Sequence, residues 1–203
     1  MARRPNMESA TRDRLIQAAM DVFARRGYHG TTVDDIVAAS DSSKGSFYHY
    51  FPSKQGIFLI LLDQLAVMVE AGVDHAIDRE DGAMAKVEAA LRVVLEVAAA
   101  HRDLARILLV ESAALGHEFE QSRLGIHRRF AALIQRHLDR AVADGAIPAQ
   151  DTHIAAAAWI GAINEVLTQQ MALGVEVLAG LPSLRMVLLR SIGARINGES
   201  AGR

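Results

Sequence analysis

Residues 31–54, TTVDDIVAASDSSKGSFYHYFPSK, decide how the chain is read. Thr32 is placed to cap a helix, and Asp35 three residues later completes an acidic version of the capping box. Ile36, Val37 and Ala39 supply the predicted inner face, and the helix should end near Ser40. Ser40-Asp41-Ser42-Ser43 has the composition of a turn. A second short helix then runs to Tyr50, with Pro52 stopping it. Thr32 to Tyr50 therefore reads as a helix-turn-helix, a motif whose second helix can enter a DNA major groove. Phe47 and Phe51 lie four residues apart on one face and are expected to pack against Ile36 and Phe23.

The remaining faces of the second helix hold Lys44, Gly45, Ser46, Tyr48, His49 and Tyr50. Lys44 suits a base edge or phosphate, Gly45 a close approach, and Ser46 a small hydrogen-bonding contact. The tyrosine hydroxyls and His49 can reach phosphate oxygens or thymine methyls. The competing structural reading makes residues 48–50 part of an aromatic bundle core. Three successive polar-tipped aromatics cannot all face one core, so at least one must be exposed.

Working outward, Leu15, Ala18, Ala19, Val22 and Phe23 follow helical spacing from Thr11, with Arg25 and Arg26 near the C-terminal dipole and Gly27 as the stop. On the other side, Ser53 caps a long helix whose apolar residues run from Ile57 to about Val73, and Lys54 falls in its first turn. Further helices are expected at Ala83–Ala100, Asp103–Leu115, Glu118–Ala143, Thr152–Leu173 and Ser183–Ile196. Gly174 to Pro182 reads as a break, and both ends of the chain read as frayed arms.

Three segments together resemble the TetR family of bacterial one-component regulators. They are the Ala-Ala-x-x-x-Phe-Ala-x-x-Gly-Tyr run at Ala18–Tyr28, Thr-Thr-Val-x-x-Ile at Thr31–Ile36, and Ser43 to Phe51 followed by Pro52-Ser53-Lys54. The resemblance covers roughly the first quarter of the chain. It implies an all-α protein, with a three-helix DNA-binding domain at 1–52 and a helical ligand-binding and dimerisation domain at 53–203. It implies Thr32, Lys44, Gly45, Ser46, Tyr48, His49, Tyr50 and Lys54 as DNA contacts. A homodimer reading a near-palindromic operator, and release by a small, hydrophobic effector, are further implications. One departure is Asp41-Ser42, where the family turn usually has glycine followed by an apolar residue. Asp tolerates the left-handed conformation better than most residues, whereas Ser42 should loosen packing between the two helices.

In the C-terminal region, Ala157 with Gly161 and Ala158 with Ala162 form small pairs at i, i+4 that admit a second helix closely. Together with Leu184, Val187, Leu188 and Ile192, they are the candidate dimer interface, the alternative being a tightly packed intrachain helix. Leu65, Met68, Leu91 and Leu95 are candidate lining of a ligand pocket, along with Leu108, Leu115, Phe130, Trp159 and Ile163. Glu111, Ser112 and Asn164 interrupt apolar faces and are candidates to orient a ligand.

Other functions find little support. Cysteine is absent, and the eight histidines show no metal-binding spacing, so no metal or cofactor is expected. No nucleophile elbow, P-loop or dinucleotide fingerprint occurs, and an enzyme is not expected. The chain is 51% hydrophobic and 23% charged, the balance of a folded protein. The net charge of -2 is uneven: residues 1–55 hold eight Lys/Arg against six Asp/Glu, the rest fourteen against eighteen. That sign suits an N-terminal module facing phosphates. No secretory h-region precedes the first helix, and the longest apolar run, Gly56–Leu62, is short for a bilayer, so a cytoplasmic protein without a membrane partner is expected. The rival from another class is a helical ligand-binding protein or enzyme whose N-terminal motif no longer binds DNA.

Overall fold

The computed structural model describes residues 6–111 and 115–194. Among them the regular structure is helical, with no strand. The chain begins with α1 (Asn6–Arg26), which starts a turn and more before the expected Thr11. α2 (Val33–Ala39) and α3 (Lys44–Tyr50) follow, with Thr32 and Ser43 as their caps. Phe23, Ile36, Phe47 and Phe51 are all fully buried in one core, as the spacing of the two phenylalanines requires. Ala39 is a correction: it is exposed, because a seven-residue helix turns only one narrow face inward and Ile36 and Val37 occupy it.

The turn between α2 and α3 rests on Asp41, whose φ of 49° lies in the left-handed region. Ser42 is half-buried, and its hydroxyl donates to the Ser40 carbonyl at 3.3 Å. A left-handed residue with a Cβ carries a steric cost that glycine avoids. Asp41→Gly is therefore expected to raise the unfolding free energy by about 0.5–1 kcal/mol. Urea denaturation measures this, and a lowered midpoint at unchanged m-value would refute it.

α4 (Lys54–Asp78) is the axis of the molecule, about 37 Å long at helical rise. It packs on α1, on α5 (Ala83–Ala100) and on α7 (His117–Ala143). By length and composition α4 passes for a membrane span, with a mean hydropathy of 1.9 over eighteen residues. In this fold, however, Ile57, Phe58, Leu61 and Leu62 are buried in the core with α1 and α3. Asp63 and Glu70 pair with Arg129 of α7, and Asp74 with Arg136 and His137. The aromatic rings of Phe23, Tyr28, Phe58 and Phe119 lock the head to the body, with neighbouring centroids 4.9–5.9 Å apart. The core thus passes without interruption across residues 52 and 53.

α5 and α8 (Thr152–Leu173) have the expected limits. The expected Asp103–Leu115 helix does not form as one piece. α6 (Arg102–Arg106) gives way to a π-helical turn at Ile107–Glu111. Two cores compete for this apolar run: Ile107 is buried with the head, while Leu108 and Leu109 face a cavity in the body. Widening the helix by one residue per turn lets neighbouring side chains serve both. The break at 174–182 is partly ordered. A 3₁₀ turn, Val177–Gly180, leads into α9 (Leu181–Ser191), where Pro182 occupies the first turn that tolerates it. α9 ends earlier than expected, with Gly193 at a φ of 66°, and Ile196 lies outside the described residues.

Candidate DNA-binding interface and internal cavity

The head presents α3 through a network of caps. Thr32 accepts from the Asp35 N–H at 3.2 Å, and its own N–H donates to the Asp35 carboxylate at 2.9 Å. The Thr32 hydroxyl, which donates to the Asp35 carboxylate at 2.7 Å, and then the Thr32 N–H, with the nearby Arg26 guanidinium, hold the Asp35 carboxyl below the usual range. Ser43 caps α3 by accepting from the Ser46 N–H at 3.0 Å. With Phe47 turned into the core, Lys44, Gly45, Tyr48 and His49 face solvent, Tyr48 being 56% exposed. A Cβ on Gly45 would meet only the Ser43 hydroxyl, at 3.6 Å, so this face is open for close approach. Ser46 and Tyr50 are half-buried, Tyr50 resting against the head core.

Two basic residues behave differently from one another. Lys44 pairs with Asp34 of α2 at 2.8 Å, and the hydrogen bond to that carboxylate raises its pKa; the pair is exposed and remains within reach of DNA. Lys54 is a correction to the implied set. Its ammonium donates to the Tyr28 and Thr31 carbonyls, each at 2.8 Å, and sits 4.3 Å from the Tyr28 ring centre. Burial lowers its pKa. Lys54 thus ties the α1–α2 loop to the start of α4, because two inward carbonyls satisfy its donors better than a detour to the surface. Asp34 was not anticipated as a partner of Lys44. The packing of α2 on α3 that brings them together is a tertiary fact.

The body holds a cavity of about 170 Å³ that is partly open to solvent. Of the candidate ligand-pocket residues, Leu65, Leu91, Leu108, Phe130, Trp159, Ile163 and Asn164 line it. Three described candidates, Met68, Leu95 and Leu115, do not. Met68 is 47% exposed on the far side of α4. Leu95 is buried in the packing beneath α5, and Leu115 rests half-buried against the head core. Glu111 is described by its backbone alone and closes the π turn, while Ser112 lies outside the described residues. His127 and His137 line the cavity and were missed. Their signal was present: positions 127, 130, 134 and 137 recur at helical spacing with Phe130 and Ile134. His137 Nε2 is engaged by the Asp74 carboxylate at 2.8 Å. Among the described residues no group of three acidic, histidine or cysteine side chains is placed to hold a metal.

The candidate interface divides in two. Ala157, Ala158 and Gly161 are exposed on α8 beside Ile154, 61% exposed, and Val187 of α9 is 62% exposed. Ala162 is half-buried. Leu184, Leu188 and Ile192 are corrections: they are buried in the subunit's own core, where α9 packs on α5. Their i, i+4, i+8 spacing defines the inward stripe of α9, leaving Val187 on the opposite side.

Comparison with known proteins agrees with this geometry. Residues 15–61 match the family model described as bacterial regulatory proteins, tetR family. Residues 80–168 match the tetracyclin repressor-like C-terminal domain. The chain is 31% identical over 147 residues to the HTH-type transcriptional repressor SCO4008 of Streptomyces coelicolor, covering 70% of this chain and 72% of that protein. It is 30% identical over 113 residues to the regulator RutR of Escherichia coli, covering 55% of this chain and 52% of RutR. In fold it is similar to FadR from Bacillus subtilis, solved with stearoyl-CoA, with a TM-score of 0.78 at 22% identity over 89% of this chain and 99% of that one. The matched relatives are transcriptional regulators and not enzymes. The chain belongs to the TetR family of bacterial transcriptional regulators.

Proposed function

We propose that the protein is a homodimeric repressor that binds a near-palindromic operator through α3 and is released by an effector entering the body cavity. The reading divides the chain functionally at residue 52, with a DNA-reading head and a sensing, dimerising body. The observation that carries it is the face of α3, where Lys44, Gly45, Tyr48 and His49 are exposed while Phe47 anchors the helix from behind. Dimerisation is supported by the exposed small-residue face of α8, and two such heads about 34 Å apart would meet successive major grooves. FadR's complex with stearoyl-CoA supports a ligand-responsive body of this architecture. The ligand acts through its different affinity for the DNA-bound and released states. A cytoplasmic location follows from that role.

Fluorescence anisotropy with DNA from upstream of the protein's own gene tests the proposal. Tight, sequence-selective and salt-sensitive binding is expected. Lys44→Ala should weaken binding across all sequences and reduce the salt slope by about one. Tyr48→Ala should cost roughly tenfold in affinity for the specific site, at the scale of one lost base or phosphate contact. Wild-type affinity in both variants, with folding intact, overturns the assignment of α3 as the reading helix.

A further inference from the structure

The cavity wall is almost entirely hydrocarbon, and its polar atoms are confined to a few side chains. Trp159 donates its indole N–H to Ser191 at 3.0 Å, and His137 turns its Nε2 to Asp74. The Trp159 indole N–H and the Nε2 of His137 are therefore committed away from any guest. The pair left over is His127 on α7 and Asn164 on α8, whose Nε2 and Nδ2 stand 3.0 Å apart.

Proton accounting decides what this pair can offer. Arg123 faces His127 Nδ1 at 3.4 Å, and a guanidinium only donates. Nδ1 must then accept, and the single proton of a neutral imidazole sits on Nε2. Burial, with the Arg123 charge, lowers the pKa of His127 and keeps that ring neutral. An Nε2–H needs an acceptor, so the Asn164 amide turns its oxygen to the histidine, a rotation that exchanges nearly identical atoms. The Asn164 NH₂ is thereby turned away from His127, on a residue that lines the cavity.

Volume sets the other limit. An apolar cavity of about 150 Å³ accommodates benzene, and this one is about 170 Å³. A stearoyl chain is far too long for that space.

We propose that the cavity takes a compact, largely apolar ligand of roughly six to ten non-hydrogen atoms bearing one hydrogen-bond acceptor, which the Asn164 amide engages while His127 positions that amide. This rests on the reading of the cavity as the effector site. A carbonyl or ester oxygen on a ring or short chain has the required chemistry.

Calorimetry with acetophenone and cumene, ring compounds of equal heavy-atom count, tests it on the full chain. Acetophenone should bind about tenfold more tightly than cumene, the scale of one well-made buried hydrogen bond. Asn164→Leu should abolish that preference by weakening acetophenone alone, so cumene binding certifies that the variant cavity is folded. His127→Phe should reduce the preference and His127→Gln restore part of it, which a purely packing role for His127 would not do. Cumene binding as tightly as acetophenone, an unchanged preference in Asn164→Leu, or no binding of either compound at millimolar concentration overturns the proposal. DNA release is read separately. If acetophenone binds with the expected selectivity but leaves DNA affinity unchanged, the ligand class stands and the effector reading falls. If palmitate releases DNA while neither small probe binds, the effector reading stands and the ligand class falls.

Discussion

Replacing Phe58 with alanine is expected to lower the unfolding free energy by about 3–5 kcal/mol, a large share of the 5–15 kcal/mol typical of a domain. Phe58 is fully buried on α4 at the seam of head and body. Its ring meets Phe23 edge-on at 4.9 Å, Tyr28 at 5.0 Å and Phe119 at 5.7 Å. Truncation removes apolar burial and leaves a void bounded by three other rings on α1, the following loop and α7. Those rings are each held by further packing, so the site cannot collapse around the smaller side chain. Val67→Ala, on an exposed stretch of the same helix, is expected to stay within about 0.5 kcal/mol and controls for helix propensity. Urea denaturation followed by circular dichroism measures both. A cost below about 1 kcal/mol for Phe58→Ala would mean that the aromatic seam is not a principal source of stability. Because the same rings fix the head's orientation, DNA affinity should fall in that variant even where it remains folded.

The features legible in the sequence were those that depend on neighbours along the chain. Thr32 and Ser53 cap the helices they were expected to cap, because an N-cap needs only a short side-chain oxygen and free N–H groups two or three residues on. α5 and α8 likewise begin and end at local stop signals. What escaped depends on partners distant in sequence. The π turn at Ile107–Glu111 arises from competition between two cores, and no local pattern encodes such a contest. α9 is apolar on more than one side, so periodicity alone could not say whether Leu188 or Val187 faced the subunit's own core. Lys54 matched the family motif by position, yet its ammonium is drawn to carbonyls 23 and 26 residues earlier. His127 sat on a helical stripe that was visible, but a histidine there reads equally as core or surface until α8 brings Asn164 against it.

The sharpest consequence of the exposed α8 face is that Gly161→Lys should convert the protein to a monomer and weaken operator binding by about 10²–10⁴-fold. A Cβ at Gly161 meets nothing within 4 Å in the subunit, and glycine within a helix is less favourable than lysine. The isolated subunit should therefore be unharmed or slightly stabilised. In a two-fold dimer packed through Ala157, Ala158 and Gly161, the same substitution brings a long side chain and its charge against a copy of itself. Close approach is blocked sterically, and two ammonium groups repel across the axis. Each released head must then bind its half-site alone, losing the effective concentration that linkage provides. The added positive charge would by itself favour DNA, so a fall in affinity runs against the electrostatic expectation and isolates the loss of the partner. Sedimentation velocity and anisotropy on the same sample read both effects, with Gly161→Ala as a dimeric control. A Gly161→Lys protein that remains a dimer with undiminished affinity would move the interface to another face. Val187, exposed on α9 beyond the inward stripe of Leu184 and Leu188, is the next position to probe in that event.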